Sequence, residues 1–205
     1  MTAIMSTAAW SAYDEGYLRA YQWAGSLAAG VALPQEPPTI QLGPGEVVHA
    51  HVTPVSLSGY YGEDAQYRRS FLLLGGPVGL AVTGAASLAH NAAKKQQAEQ
   101  AAIPRWHALG AADVVLTSQR LVVTRDAQAE SLWFAETGAP QWAVGPNNIP
   151  AIQVQAPGMP VLQLASSWAP LLYVFAHHLL EGRPPGVPLP DGLLDRARAE
   201  GRLTA

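Results

Sequence analysis

The sequence predicts an α+β fold: a small antiparallel β-barrel closed by a C-terminal helix, with an N-terminal helix ahead of it and a helical apolar insertion within it. Three observations carry that expectation. Two β-branched runs, Val114–Leu116 and Leu121–Val123, bracket a polar tetrapeptide in the manner of a hairpin. Short strand-like runs then recur between clusters such as Gly145-Pro146-Asn147-Asn148 and Ala156-Pro157-Gly158, a punctuation typical of small barrels and sandwiches. Last, Trp168, Leu171, Leu172, Phe175 and Leu179 share an arc roughly 100° wide at helical spacing, and Gly182 and Pro184 end that helix.

Taken in order, residues 1–33 form an N-terminal unit with a helix over 6–29, for which Ser6 or Thr7 serves as cap. Trp10, Tyr13, Tyr17, Tyr21, Ala24 and Ala28 recur every three or four positions as an apolar stripe, suited to the chain's own barrel or to another subunit. Trp23 lies off that stripe and is the better candidate for an exposed contact. Residues 34–45 (PQEPPTIQLGPG) are a proline-punctuated linker, because each proline disfavours helix in the residue before it. The core unit spans 46–182.

Within that core, Glu46 to Leu57 alternates as a strand, with Val48, Ala50 and Val52 on one face and Val47, His49 and His51 on the other. Pro54 marks an edge or a bulge there. The hairpin covers 113–125, and further strands are expected at 132–135, 141–144, 149–154 and 161–165. The closing helix opens at Ser166 or Ser167 and stops at Gly182. Residues 183–205 hold an extended linker (RPPGVPLP) and a short tail helix over 191–203 capped by Asp191.

A strand opening at Gly45-Glu46-Val47-Val48, a hairpin carrying Leu116-Thr117-x-x-Arg120-Leu121, further strands and one closing amphipathic helix together resemble the bacterial PH-like and GRAM-type domains, over about residues 42–182. That resemblance implies the barrel-and-helix fold, and it implies that Thr117 and Arg120 serve the turn and the barrel rather than an activity. Proteins of this superfold bind phosphoinositides, peptides or other proteins, so the fold alone does not choose a ligand. The inositide binders of the family carry several basic residues in and after the first strand, whereas 46–61 here contains none.

Composition narrows the function classes. Hydrophobic residues are 49% of the chain and charged residues 13%, about half the usual share of roughly 25%, which points to surface buried in an assembly or facing lipid. A net charge of -3 supplies no basic field for nucleic acid. With no cysteine there is no disulfide framework, thiolate nucleophile or cysteine-held metal, as suits a cytoplasmic protein. Asp14, Glu15 and Arg19 interrupt the N-terminal apolar residues, so no signal peptide is read.

The insertion, at about 71–103, opens with nineteen uncharged residues, Phe71 to Ala89, which is transmembrane length. If the strands on either side join one barrel, both ends of the insertion lie on one side of any membrane, and a single crossing is ruled out. A re-entrant or interfacial hairpin bent at Gly75-Gly76-Pro77, or a helix from about 78 to 101 buried against protein, remain. Arg68, Arg69, Lys94 and Lys95 flank it as headgroup anchors would, while Leu73, Leu74, Val78 and Leu80 supply apolar contact. Gly79, Thr83 and Ser87 recur every four positions and permit close helix pairing.

Catalytic signatures are sparse. The chain has no phosphate loop, dinucleotide fingerprint, nucleophile elbow or zincin pair. His49 and His51 would share a strand face as a metal-ligand pair without a third ligand, and with Glu46 they give an enzyme reading its one foothold. His177 and His178 cannot share a helix face and sit near a helix C-terminus, where a capping or solvated role is expected. Glu63 and Asp64 read as a solvated turn. The expected function is a non-catalytic binding or scaffolding module with no cofactor and no metal, whose insertion mediates self-association, as in a homo-oligomer, or binds a protein partner. The alternative is a peripheral protein at the inner face of the cell membrane, recognising lipid through the insertion and its basic flanks.

Overall fold

The computed structural model describes residues 9–62 and 103–203. Its elements run α1 (Ala12–Ala28), β1 (Val48–Tyr61), β2 (Arg105–Thr117), β3 (Arg120–Arg125), β4 (Gln128–Trp133), α2 (Phe134–Thr137), β5 (Gln141–Val144), a 3-10 turn (Pro146–Asn148), β6 (Pro150–Val154), β7 (Val161–Ala165), α3 (Ala169–Glu181) and α4 (Leu193–Ala199). The strands form one antiparallel, open sheet in the order β4-β3-β2-β1-β7-β6-β5. The long β1 holds it together: β2 pairs with it along its whole length, and β7 takes its other edge from Ser56 to Tyr60.

β1 and β2 are longer than alternation alone suggests, and their pairing shifts register three times. His49 is an extra residue between the pairs Val48–Thr117 and Ala50–Leu116, so Val48 turns to the opposite face from Ala50 and Val52, correcting the face assignment made from strict alternation. The second shift spans Thr53 and Pro54, as expected of a residue that cannot donate a ladder hydrogen bond. The third places Leu109 as the extra residue of β2, beside Gly110 at φ +103°. Further along, the strand expected at 132–135 ends at Trp133, and Phe134 opens α2 instead.

One face of the sheet carries the main core, in which Val52, Leu57, Leu116, Leu121, Ile152 and Leu164 meet Leu172, Val174 and Phe175 of α3. The expected arc of α3 does face inward, with Leu172 and Phe175 fully buried and Trp168, Leu171 and Leu179 partly so. Fully burying side chains of this size contributes about 1.5–3 kcal/mol each. Neither serine is the helix N-cap, which is Trp168; Ser166 Oγ accepts the Trp168 N–H at 3.3 Å. Gly182 ends the helix at φ +70°. On the opposite face Val48, Val115 and Val122 form a smaller cluster roofed by Ile40 and Leu42 of the proline-rich segment.

α1 lies against α3, with Trp23 edge-on to Phe175 at 5.4 Å. Its face matches the expected stripe only in part: Tyr17 packs on Trp142 and Ala24 on the core, but the buried positions are Gly16, Leu18, Ala20 and Leu27, whereas Tyr13 and Tyr21 are 42% and 38% exposed. Trp23 is thus a packing residue rather than an exposed one. The small side chains decide this, because they let the helices approach closely. Ser11 is the N-cap, its Oγ accepting the Asp14 N–H while Asp14 Oδ2 accepts the Ser11 N–H, both at 3.1 Å; Ser6 and Thr7 lie outside the described residues. α4 begins after Gly192 rather than Asp191.

Two substitutions follow from backbone geometry. A Cβ on Gly16 would stand 1.7 Å from the Ser167 carbonyl oxygen, where α1 crosses the start of α3. Gly16→Ala should therefore lower stability to urea by at least about 2 kcal/mol. Conversely, the exposed two-residue turn between β3 and β4 holds Asp126 and Ala127 at φ 50° and 62°. Ala127→Gly should raise stability by about 0.5 kcal/mol in the same assay, by removing a left-handed alanine.

Candidate functional site

The Leu116-Thr117-x-x-Arg120-Leu121 segment forms the turn between β2 and β3, and its polar residues close on Glu46. Arg120 meets that carboxylate with both nitrogens of one fork, Nε donating to Oε1 at 2.8 Å and Nη2 to Oε2 at 3.1 Å. Thr117 Oγ1 donates to Oε1 and the Gly43 N–H to Oε2, each at 2.7 Å. Arg120 further donates to Ser131 Oγ and to the Gln41 carbonyl, and its guanidinium lies 4.5 Å over the Trp133 ring. The Glu46 side chain is fully buried.

Burial works to raise the Glu46 pKa, but the hydrogen bonds from Arg120, Gly43 and Thr117, with the guanidinium charge, outweigh it and lower the carboxyl from 4.5 to about 2. This anion is saturated with donors, and it is a fastener between the segment before β1 and the β2–β3 turn. Glu46→Gln should therefore cost about 3 kcal/mol at pH 7. Because the folded pKa is the lower one, the ionic stabilisation is complete above pH 4.5 and disappears as pH falls towards 2. Urea titrations of the wild type and Glu46→Gln should thus differ at pH 7 and converge near pH 2.

The three residues of the enzymatic foothold do not converge. His49, the bulge residue, is buried with Nδ1 2.7 Å from the Pro34 carbonyl oxygen; His51 is exposed; Glu46 is held as described. Among the described residues no group of three or more His, Asp and Glu is placed to hold a metal ion. His177 Nε2 lies 2.8 Å from the Pro140 carbonyl oxygen, and the carbonyl of His178 accepts the Gly182 N–H at the helix end. A cleft of about 390 Å³ beside β5 and β6 is lined by Glu136, Thr137, Gln141, Gln153 and Gln155, a mostly neutral set. A second, of about 410 Å³, abuts Arg120 and Ser131, but Arg120's donors are largely committed.

The contact residues expected in the insertion, Arg68, Arg69, Leu73, Leu74, Val78, Leu80, Lys94 and Lys95, lie outside the described residues, as do Glu63 and Asp64. The strand ends leading to that segment carry a feature that sequence reading missed. Tyr60 of β1 and Trp106 of β2 are cross-strand partners with ring centroids 5.3 Å apart, and each is 43% exposed. Behind them Tyr61 stacks on His107 at 4.1 Å, and Ile103 is 61% exposed. The available signal was the aromatic spacing of Tyr60-Tyr61 and Trp106-His107, which becomes meaningful once β1 and β2 are seen to extend that far.

Among the described residues no helix is long and apolar enough to cross a membrane. Comparison of the chain with protein-family models, with curated proteins and with solved structures returns no match.

Proposed function

We propose that the chain is a non-catalytic binding or scaffolding module of PH-like fold, in which the aromatic end of β1 and β2 offers a contact surface and the apolar insertion mediates self-association or partner binding. The fold part is supported by seven antiparallel strands in the order β4-β3-β2-β1-β7-β6-β5, by the sharing of β1 between β2 and β7, and by a helix that follows β7 and packs on the core. In this reading α3 closes the barrel, and Glu46, Thr117 and Arg120 secure its turn.

The observation that carries the functional part is the Tyr60–Trp106 pair. Large aromatic residues are enriched at protein interfaces, and here a β ladder holds two of them side by side and open to solvent. The same pair favours a second reading. Tyr and Trp also collect at the boundary between lipid and water, and in the sequence Arg68 and Arg69 precede the apolar run and Lys94 and Lys95 follow it, as anchors to a headgroup layer on the inner face of the cell membrane would.

Liposome flotation with light scattering separates the two. Wild type is compared with a Leu73→Ser, Leu74→Ser, Val78→Ser, Leu80→Ser variant and with Tyr60→Ser, Trp106→Ser. If the protein is an oligomer that both variants dissociate, and it does not float, the protein-contact reading holds. Flotation of wild type, lost in both variants, transfers the surface to lipid. No flotation and an unchanged oligomeric state in both variants would overturn the self-association form and both uses of the surface short of an external partner.

A further inference from the structure

α4 and α1 meet through a joint rich in ion pairs. Trp10, just ahead of α1, meets two guanidiniums, with Arg196 4.4 Å and Arg202 4.2 Å from its ring centre, and its Nε1 donates to Glu200. Arg202 pairs with Glu15 at 2.7 Å, and Arg196 reaches Glu200 at 3.1 Å and Asp14 at 3.7 Å. Gln22 Nε2 donates to the Arg202 carbonyl at 3.2 Å. Against this polar network, the buried apolar side chains of α4 are Leu193 and Ala197, one large and one small.

The charged groups are about a third exposed, from 27% to 32%, which is where added salt screens ion pairs effectively. The proline-rich segment 183–190 separates α4 from α3, so α4 can move without unwinding the helix that packs on the core. We propose that residues 191–203 are an ionic strap that opens as a unit, below the threshold of global unfolding, and whose closure on α1 is controlled by ionic strength. An open strap uncovers Trp10 and Leu193 and frees Arg196 and Arg202 for anionic partners. Local opening of this kind is expected of an element with little apolar burial and a half-solvated set of contacts.

The absence of cysteine makes the test clean. Leu193→Cys places a lone thiol under the strap, and Leu116→Cys places one in the sheet core, each modified with iodoacetamide under native conditions. The strap thiol should react at least about a hundredfold faster than the core thiol, and about tenfold faster again in 1 M NaCl than in 50 mM, with the far-UV circular dichroism unchanged. Arg202→Glu should mimic high salt, and Glu15→Arg added to it should restore protection. In the unsubstituted chain, trypsin cleavage after Arg198 should rise with salt relative to cleavage of a short arginine-containing peptide added to the same digest. Equal labelling of the two thiols, or rates and cleavage ratios indifferent to salt, would overturn the strap and make α4 part of the cooperative core.

Discussion

A single buried carboxylate sets the geometry on which the sheet depends. Glu46 stands two residues before β1, and Arg120 and Thr117 stand at the turn between β2 and β3, more than seventy positions along the chain. Fastening these points defines where β1 begins relative to β2, and β1 in turn passes register to β7 and, through it, to β6 and β5. Such a pair is expensive to desolvate, and a well-packed apolar replacement of both partners can be as stable. Its use here is directional: a bidentate fork accepts one alignment of the chain, whereas apolar side chains of similar volume tolerate several.

Much of this arrangement was legible beforehand, for identifiable reasons. Strands β5 and β7 were bounded correctly because Pro140 and Gly145 flank the one and Pro160 opens the other, and α3 was bounded at its C-terminal end because Gly182 stops it. The inward stripe of α1 was right at Tyr17 and Ala24 and misjudged elsewhere, because large aromatic residues outweighed small ones in the pattern. Packing followed closeness of approach instead, through Gly16, Ala20 and Leu27, leaving Tyr13 and Tyr21 outside. The bulge at His49 was equally invisible, since an extra residue changes which face a side chain takes without altering composition.

The candidate surface was less legible. Its aromatic pair joins residues 46 positions apart, and neither belongs to an apolar run, so no local window singles them out. The Thr117 and Arg120 roles were readable only through resemblance. The turn chemistry explains them afterwards: a hydroxyl that accepts the N–H of Arg120 at 3.0 Å while donating to a carboxylate requires Thr or Ser at that position, and a bidentate partner requires Arg.

The unequal strand lengths bear on how the molecule behaves among its neighbours. The sheet's interior strands β1 and β2 reach fourteen and thirteen residues, but its margins are six residues in β4 and four in β5, and Gly145-Pro146 cuts the latter short. An outer margin of that length offers a passing chain only a few backbone groups, too few to template a continuing ladder. Among the described strands, these two margins are therefore blunt rims. Extension of the sheet by a passing chain should be disfavoured at both of them.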